Sequence, residues 1–81
     1  QAVTRAEMSI MIANAFQLAA SSEKISFSDV NTNVTGYDAI QRVVANKIAQ
    51  GYTDGSFKPY EKMNRATYAV FISRAINDKL Q

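Results

Sequence analysis

Two short stretches hold the residues best suited to recognition chemistry. Thr4-Arg5-Ala6-Glu7 and Asn64-Arg65-Ala66-Thr67 each place a capping side chain and an arginine just ahead of an apolar helical pattern. Thr4 with Glu7 three residues on has the form of a capping box. The Thr4 hydroxyl would accept from the Glu7 N–H, and the Glu7 carboxylate would reach back to the Thr4 N–H. Asn64 is an equally good N-cap, but Thr67 cannot return a carboxylate. Capping does not account for Arg5 and Arg65. A cation in the first turn opposes the helix dipole, at a cost of about 0.3–1 kcal/mol. One account is a local salt bridge to Glu7 or Glu61. The other is an anion site, where free helix N–H groups and a two-pronged guanidinium would meet a carboxylate or phosphate.

A third stretch, Gly51-Tyr52-Thr53-Asp54-Gly55-Ser56-Phe57-Lys58-Pro59, also has two readings. Asp54-Gly55 is a strong turn dipeptide. The plain reading is a turn that sets one helix against another, with Tyr52 and Phe57 packed inward. The functional reading makes Gly51, Tyr52, Asp54 and Lys58 one wall of a sugar groove, since sugars need aromatic faces and hydrogen-bonding groups. Asp29-Val30-Asn31-Thr32-Asn33 alternates like the start of a calcium loop. Its glycine arrives two residues late at Gly36, and Ile40 stands where the closing glutamate belongs, so an EF-hand is rejected. Asn33-Val34-Thr35 matches a glycosylation sequon, a pattern too short to carry weight.

Composition narrows the function classes. The chain has 81 residues, enough for one small domain, and contains neither cysteine nor histidine. Disulfides, thiolate metal sites, cysteine nucleophiles and the Ser-His-Asp triad are therefore excluded, and the usual neutral-pH acid/base group is missing. Seven scattered carboxylates are left. The expectation is a protein without catalysis, cofactor or metal. Nine Lys+Arg give a net charge of +2 with no basic run, which lends little support to nucleic-acid binding. No transmembrane span or signal peptide is evident. The chain opens on Gln1 rather than Met, as a fragment or processed piece would.

Three helical segments must position these residues. Met8, Met11, Ile12, Ala15, Phe16 and Ala19 recur at helical spacing and predict a helix from about Arg5 to Ala19. Ile40, Val43, Val44 and Ile48 form a second stripe behind Thr35 and Asp38, which imitate a capping box. Tyr68, Phe71, Ile72, Ala75 and Ile76 form a third, from about Arg65 to Lys79. Long loops separate them, and Phe27 and Phe57 plug the core from those loops. The expected class is all-α. A shift of 60 positions aligns Thr4-Arg5-Ala6 with Asn64-Arg65-Ala66, and Met11, Ile12, Ala15 and Phe16 with Phe71, Ile72, Ala75 and Ile76. A period of this size suggests an array of supersecondary units.

Phe27-Ser28-Asp29-Val30, Tyr37-Asp38-Ala39-Ile40, the Gly51–Pro59 block and Asn64-Arg65-Ala66 together resemble an S-layer homology motif, and Thr4-Arg5-Ala6-Glu7 resembles the signature that closes a preceding repeat. The resemblance implies residues 1–20 as that closing helix and residues 26–77 as a complete repeat. It implies a bacterial surface protein, secreted and held at the cell wall by binding a secondary cell-wall polymer, often pyruvylated, or peptidoglycan. Grooves between adjacent repeats would hold the ligand. Arg5, Arg65, Thr4, Glu7, Asn64, Gly51, Tyr52, Asp54 and Lys58 are the residues it nominates. Three departures stand out: Thr67 replaces the acid, Lys47 replaces a frequent glycine, and only about one and a half repeats are present. The rival reading is a protein–protein module that stacks on like units. Neither nucleic acid nor membrane insertion is expected.

Overall fold

The computed structural model describes residues 2–20 and 24–80. Gln1, at the head of the expected first helix segment, and Ser21-Ser22-Glu23 of the first loop lie outside the described residues. The elements run β1 (Val3–Thr4), α1 (Arg5–Phe16), α2 (Tyr37–Ala45), β2 (Lys62–Met63) and α3 (Arg65–Lys79). The fold is all-α, with one two-residue ladder that the sequence pattern is too short to announce. β1 and β2 pair antiparallel, Val3 with Met63 and Thr4 with Lys62. This pairing ties the chain just before α1 to the chain just before α3, and the two helices leave the ladder from opposite ends. Among the described residues no helix is long and apolar enough to cross a membrane.

The capping box forms as its spacing predicts. The Glu7 N–H donates to Thr4 Oγ1 at 3.0 Å, and the Thr4 N–H donates to Glu7 Oε1 at 2.8 Å. α1 stops three residues short of the expected Ala19. Gln17 turns left-handed (φ 50°), which drives Leu18 into the core at 3% exposure. The Leu18 carbonyl then accepts from Arg42 Nη1 at 2.7 Å, tying the end of α1 to α2. The buried face of α1 also lies about one position off the expected stripe: Ala6, Met8, Ser9, Ile12 and Ala13 are buried, whereas Met11 and Ala15 are exposed.

α2 does not use Thr35 as its cap. Gly36 is the N-cap, at φ 91°, with no side-chain hydrogen bond. Thr35 therefore falls outside the helix, and Asp38 instead pairs with Arg42 Nε at 2.7 Å. Being exposed, that pair contributes little to stability. α2 closes on a Schellman motif. The Ile48 N–H donates to the Val43 carbonyl at 2.9 Å and the Lys47 N–H to the Val44 carbonyl at 3.0 Å. Lys47 is the left-handed residue of that motif, at φ 62°. A glycine there would be free of the Cβ clash, which gives a physical reason for the glycine expected at this place. α3 spans the predicted Arg65–Lys79, capped by Asn64 Oδ1, which accepts from the Thr67 N–H at 2.8 Å.

The core gathers Met8, Ile12, Ile40, Val43, Ile48, Phe57 and Ala75, all essentially inaccessible. Phe57 plugs it from the loop as expected. Phe27 is half-buried and stacks on Phe57 with centroids 5.2 Å apart. On α3, Phe71 and Ala75 are buried, but Ile76, assigned to the same stripe from spacing, is 47% exposed. The first loop is pinned by Gln41, whose side-chain amide donates to the Ile25 carbonyl and accepts from the Ile25 N–H, both at 2.7 Å.

Candidate functional site

Arg5 is the centre of the arrangement, and it is buried at 5% exposure. Its Nε donates to the Phe57 carbonyl and its Nη2 to the Gln50 carbonyl, both at 2.8 Å. The guanidinium lies 4.4 Å from the Phe57 ring centre, 5.1 Å from that of Tyr52 and 5.7 Å from that of Phe71. Neither Glu7 nor Glu61 forms an ion pair with it, so the salt-bridge account of this arginine fails. A buried cation needs hydrogen-bonded partners, and here two carbonyls and three aromatic rings supply them. Arg5 therefore clamps the loop between α2 and α3 onto the start of α1.

The first N–H groups of α1 are engaged as well. The Arg5 N–H donates to the Glu61 carbonyl at 2.9 Å, the Ala6 N–H to the Pro59 carbonyl at 2.8 Å, and the Glu7 N–H to Thr4. The free helix terminus that an anion site would use is filled by the chain's own loop. Thr4 and Glu7 serve each other as caps. Arg65, Asn64 and the start of α3 are arranged differently. Arg65 and Asn64 are exposed, and among the described residues neither the Arg65 nor the Ala66 N–H has an acceptor.

The Gly51–Pro59 loop is built from both of its sequence readings. Gly51 is there for space: a Cβ would stand 2.3 Å from a Phe27 ring carbon and 2.8 Å from the Ser56 carbonyl oxygen. Asp54 accepts from the Ser56 N–H at 3.0 Å and from its hydroxyl at 2.6 Å, closing the turn. Those two bonds, the hydroxyl's first, hold its carboxyl below the usual carboxylate range. Tyr52 is not packed inward as the plain reading has it. It is 39% exposed, with Lys58 Nζ 4.4 Å from its ring centre. Its hydroxyl donates to Glu61 Oε1, and that bond is the main cause that raises its pKa above 10. Tyr52 and Lys58 thus share one open face, with the Arg5 charge beneath it.

Sequence reasoning overlooked Asp29 as a site residue. Its two oxygens accept from the Phe57 and Lys58 N–H groups, both at 2.9 Å. The carboxylate that opens the apparent calcium pattern is therefore the strut that shapes the loop. Its only signal was its place in Phe27-Ser28-Asp29-Val30, which does not reveal a partner 28 residues away. Lys58, like Lys47, holds a left-handed backbone (φ 58°). Among the described residues no group of acidic side chains is placed to hold a metal ion.

The model of the S-layer homology domain family matches residues 26–69, just over half of the chain. No curated protein and no solved structure matches it.

Proposed function

The chain belongs to the S-layer homology domain family, whose members are non-catalytic modules that anchor proteins to the bacterial cell wall, and from that premise we propose that it binds an anionic, pyruvylated wall polysaccharide or peptidoglycan at the cell surface. The observation that carries this reading is the open face of Tyr52 and Lys58. An exposed aromatic ring with an ammonium 4.4 Å from its centre offers stacking and charge to an acidic sugar. In this reading residues 26–77 are the complete repeat and residues 1–20 the closing helix of a preceding one. Arg5, Thr4, Glu7, Gly51 and Asp54 hold the ligand-facing loop in shape, and Arg65 and Asn64 serve a second groove. The test is a pull-down on purified sacculi, with and without the acid-extractable polymer, comparing wild type with Tyr52→Ala and Lys58→Ala. Polymer-dependent binding that falls in both folded variants supports the reading. Binding indifferent to the polymer and to both side chains defeats it.

A second observation favours docking of a like unit, from the same chain or another. The exposed Ala66, Ala69, Val70 and Ser73 of α3 correspond, under the 60-residue shift, to Ala6, Ser9, Ile10 and Ala13 of α1. Those counterparts are buried or half-buried, and α1 packs on α2. The open N–H groups of Arg65 and Ala66 likewise correspond to those of Arg5 and Ala6, which Glu61 and Pro59 fill. A docked unit would slow hydrogen exchange at the Arg65 and Ala66 amides.

A further inference from the structure

Glu61 makes three sets of contacts, and only one of them needs a carboxylate. Its N–H donates to the Lys58 carbonyl at 3.1 Å, closing the turn over Pro59 and Tyr60. Its carbonyl accepts from the Arg5 N–H at 2.9 Å, at the start of α1. Any residue except proline could make those two bonds. The carboxylate pairs with no cation among the described residues. Its partner there is the Tyr52 hydroxyl, which donates to Oε1.

Tyr52 has need of such a tie. Its backbone is fixed, since its N–H donates to the Ser56 carbonyl at 2.7 Å and its carbonyl accepts from the Gly55 N–H at 3.0 Å. Its ring projects from the loop at 39% exposure. An exposed side chain samples several rotamers, and a ligand that uses one of them must first remove the freedom of the rest. Two groups oppose that freedom. The Arg5 guanidinium, itself anchored on two carbonyls, lies 5.1 Å from the ring centre. Glu61 holds the hydroxyl tip, through a bond to an ionised acceptor, the stronger kind. Arg5 and Glu61 are joined to each other through the Arg5 N–H. Body and tip of the ring are therefore referred to the same point, the start of α1.

We infer that Glu61 is a positioning residue, whose carboxylate holds the Tyr52 ring in the orientation that the binding face uses. The inference rests on the wall-polymer reading for the ligand, but not for the latch itself. Attraction of the ligand does not account for this carboxylate. Its charge lies on the same ring as that of Lys58 and opposes an acidic sugar, so a residue serving attraction alone would carry the other sign.

The test separates the hydrogen bond from the charge. Glu61→Gln keeps an acceptor without charge, Glu61→Ala removes both, and Tyr52→Phe keeps the ring without its tip. In the free protein, NMR side-chain couplings should show one Tyr52 rotamer in wild type and Glu61→Gln. Averaging is expected in Glu61→Ala and Tyr52→Phe. Capture on purified sacculi should weaken about two- to tenfold in those last two variants, the range for ordering one side chain on binding. Glu61→Gln should bind at least as well as wild type. The double variant should bind no worse than Tyr52→Phe alone, because Glu61 acts through the hydroxyl. Slow exchange of the Arg5 amide in every variant shows that the backbone bonds of Glu61 are intact. A wild-type ring that already averages overturns the inference. So do glutamine and alanine variants that behave alike, or an alanine that weakens capture equally beside Phe at position 52. A locked ring in a wild type that no sacculus captures keeps the latch and defeats the anchor. Capture that ignores Glu61→Ala defeats the latch and keeps the anchor.

Discussion

The guanidinium of Arg5 sits 4.4 Å from the ring centre of Phe57 while its Nε donates to the carbonyl of that same residue. One side chain thus grips another residue by both its ring and its backbone. Removing Arg5 would orphan the Gln50 and Phe57 carbonyls and open the space between three aromatic rings. Arg5→Ala should therefore cost about 3 kcal/mol by urea denaturation, and lower the melting temperature by roughly 15 °C in a thermal melt. Arg5→Lys should recover only part of it, since a point charge cannot serve both carbonyls at once. A variant as stable as wild type would show that the clamp is dispensable.

The two turn glycines should respond differently to alanine. Gly51→Ala forces a methyl onto the Phe27 ring and the Ser56 carbonyl, and should cost about 2 kcal/mol or more. At Gly55 the φ is 90° with open space around the missing Cβ, so Gly55→Ala carries backbone strain alone, about 1 kcal/mol. Paired denaturant titrations check the order, and equal losses would refute the steric account.

Asn64 caps α3 without the return carboxylate that Glu7 gives Thr4. Thr67→Glu should complete the box and also place a negative charge at the positive end of the helix. A gain of about 0.5 kcal/mol is expected in thermal melts, against a loss of about 1 kcal/mol for Asn64→Ala. No gain from the glutamate would mean that the Asn64 N–H is already satisfied.

Lys47→Gly should stabilise the fold. It relieves a left-handed residue worth about 1–2 kcal/mol and gives back about 0.5–1 kcal/mol in unfolded-chain entropy. The net gain, roughly 0.5 kcal/mol or more, would appear in the urea midpoint. A loss would show that Lys47 makes a stabilising contact.

The pH response of the loop should be two-sided. Asp54 titrates below its ordinary value near 3.8 because Ser56 donates to its charged form. Its contribution is present above that value and is lost as pH falls through the lower folded one. Tyr52 titrates above 10.0 because its neutral form donates to Glu61, so its contribution is present below 10.0 and is lost as pH rises through the raised value. Amide exchange at Ser56 on acidification, and Tyr52 absorbance on alkaline titration, check the two limbs.

Much of this was legible in the residues, because local rules govern it. The Thr4–Glu7 box, the bounds of α3 and the burial of Phe57 follow from spacing and side-chain type within a few positions. What escaped depends on distant partners. Nothing near Arg5 says that the Gln50 and Phe57 carbonyls will accept its hydrogen bonds, or that Glu61 and Pro59 will fill the helix start beside it. The missed end of α1 has the same origin, since Gln17 turns left-handed to bury Leu18 against a core that local sequence does not show.

The closure of α1 has a consequence in time. The acceptors for the Arg5 side chain and for the first amides of α1 lie at Gln50, Phe57, Pro59 and Glu61, with 45 and 52 residues separating Arg5 from its two side-chain partners. A chain emerging from the ribosome can form the Thr4–Glu7 cap at once, but it must hold Arg5 in water until the segment through Glu61 has followed. Loop closure over that distance carries an entropic toll before any contact repays it. Closure of the start of α1 is therefore a late event, and a stalled chain ending before Gln50 could pack α1 on α2 while leaving Arg5 and the first amides of the helix in water.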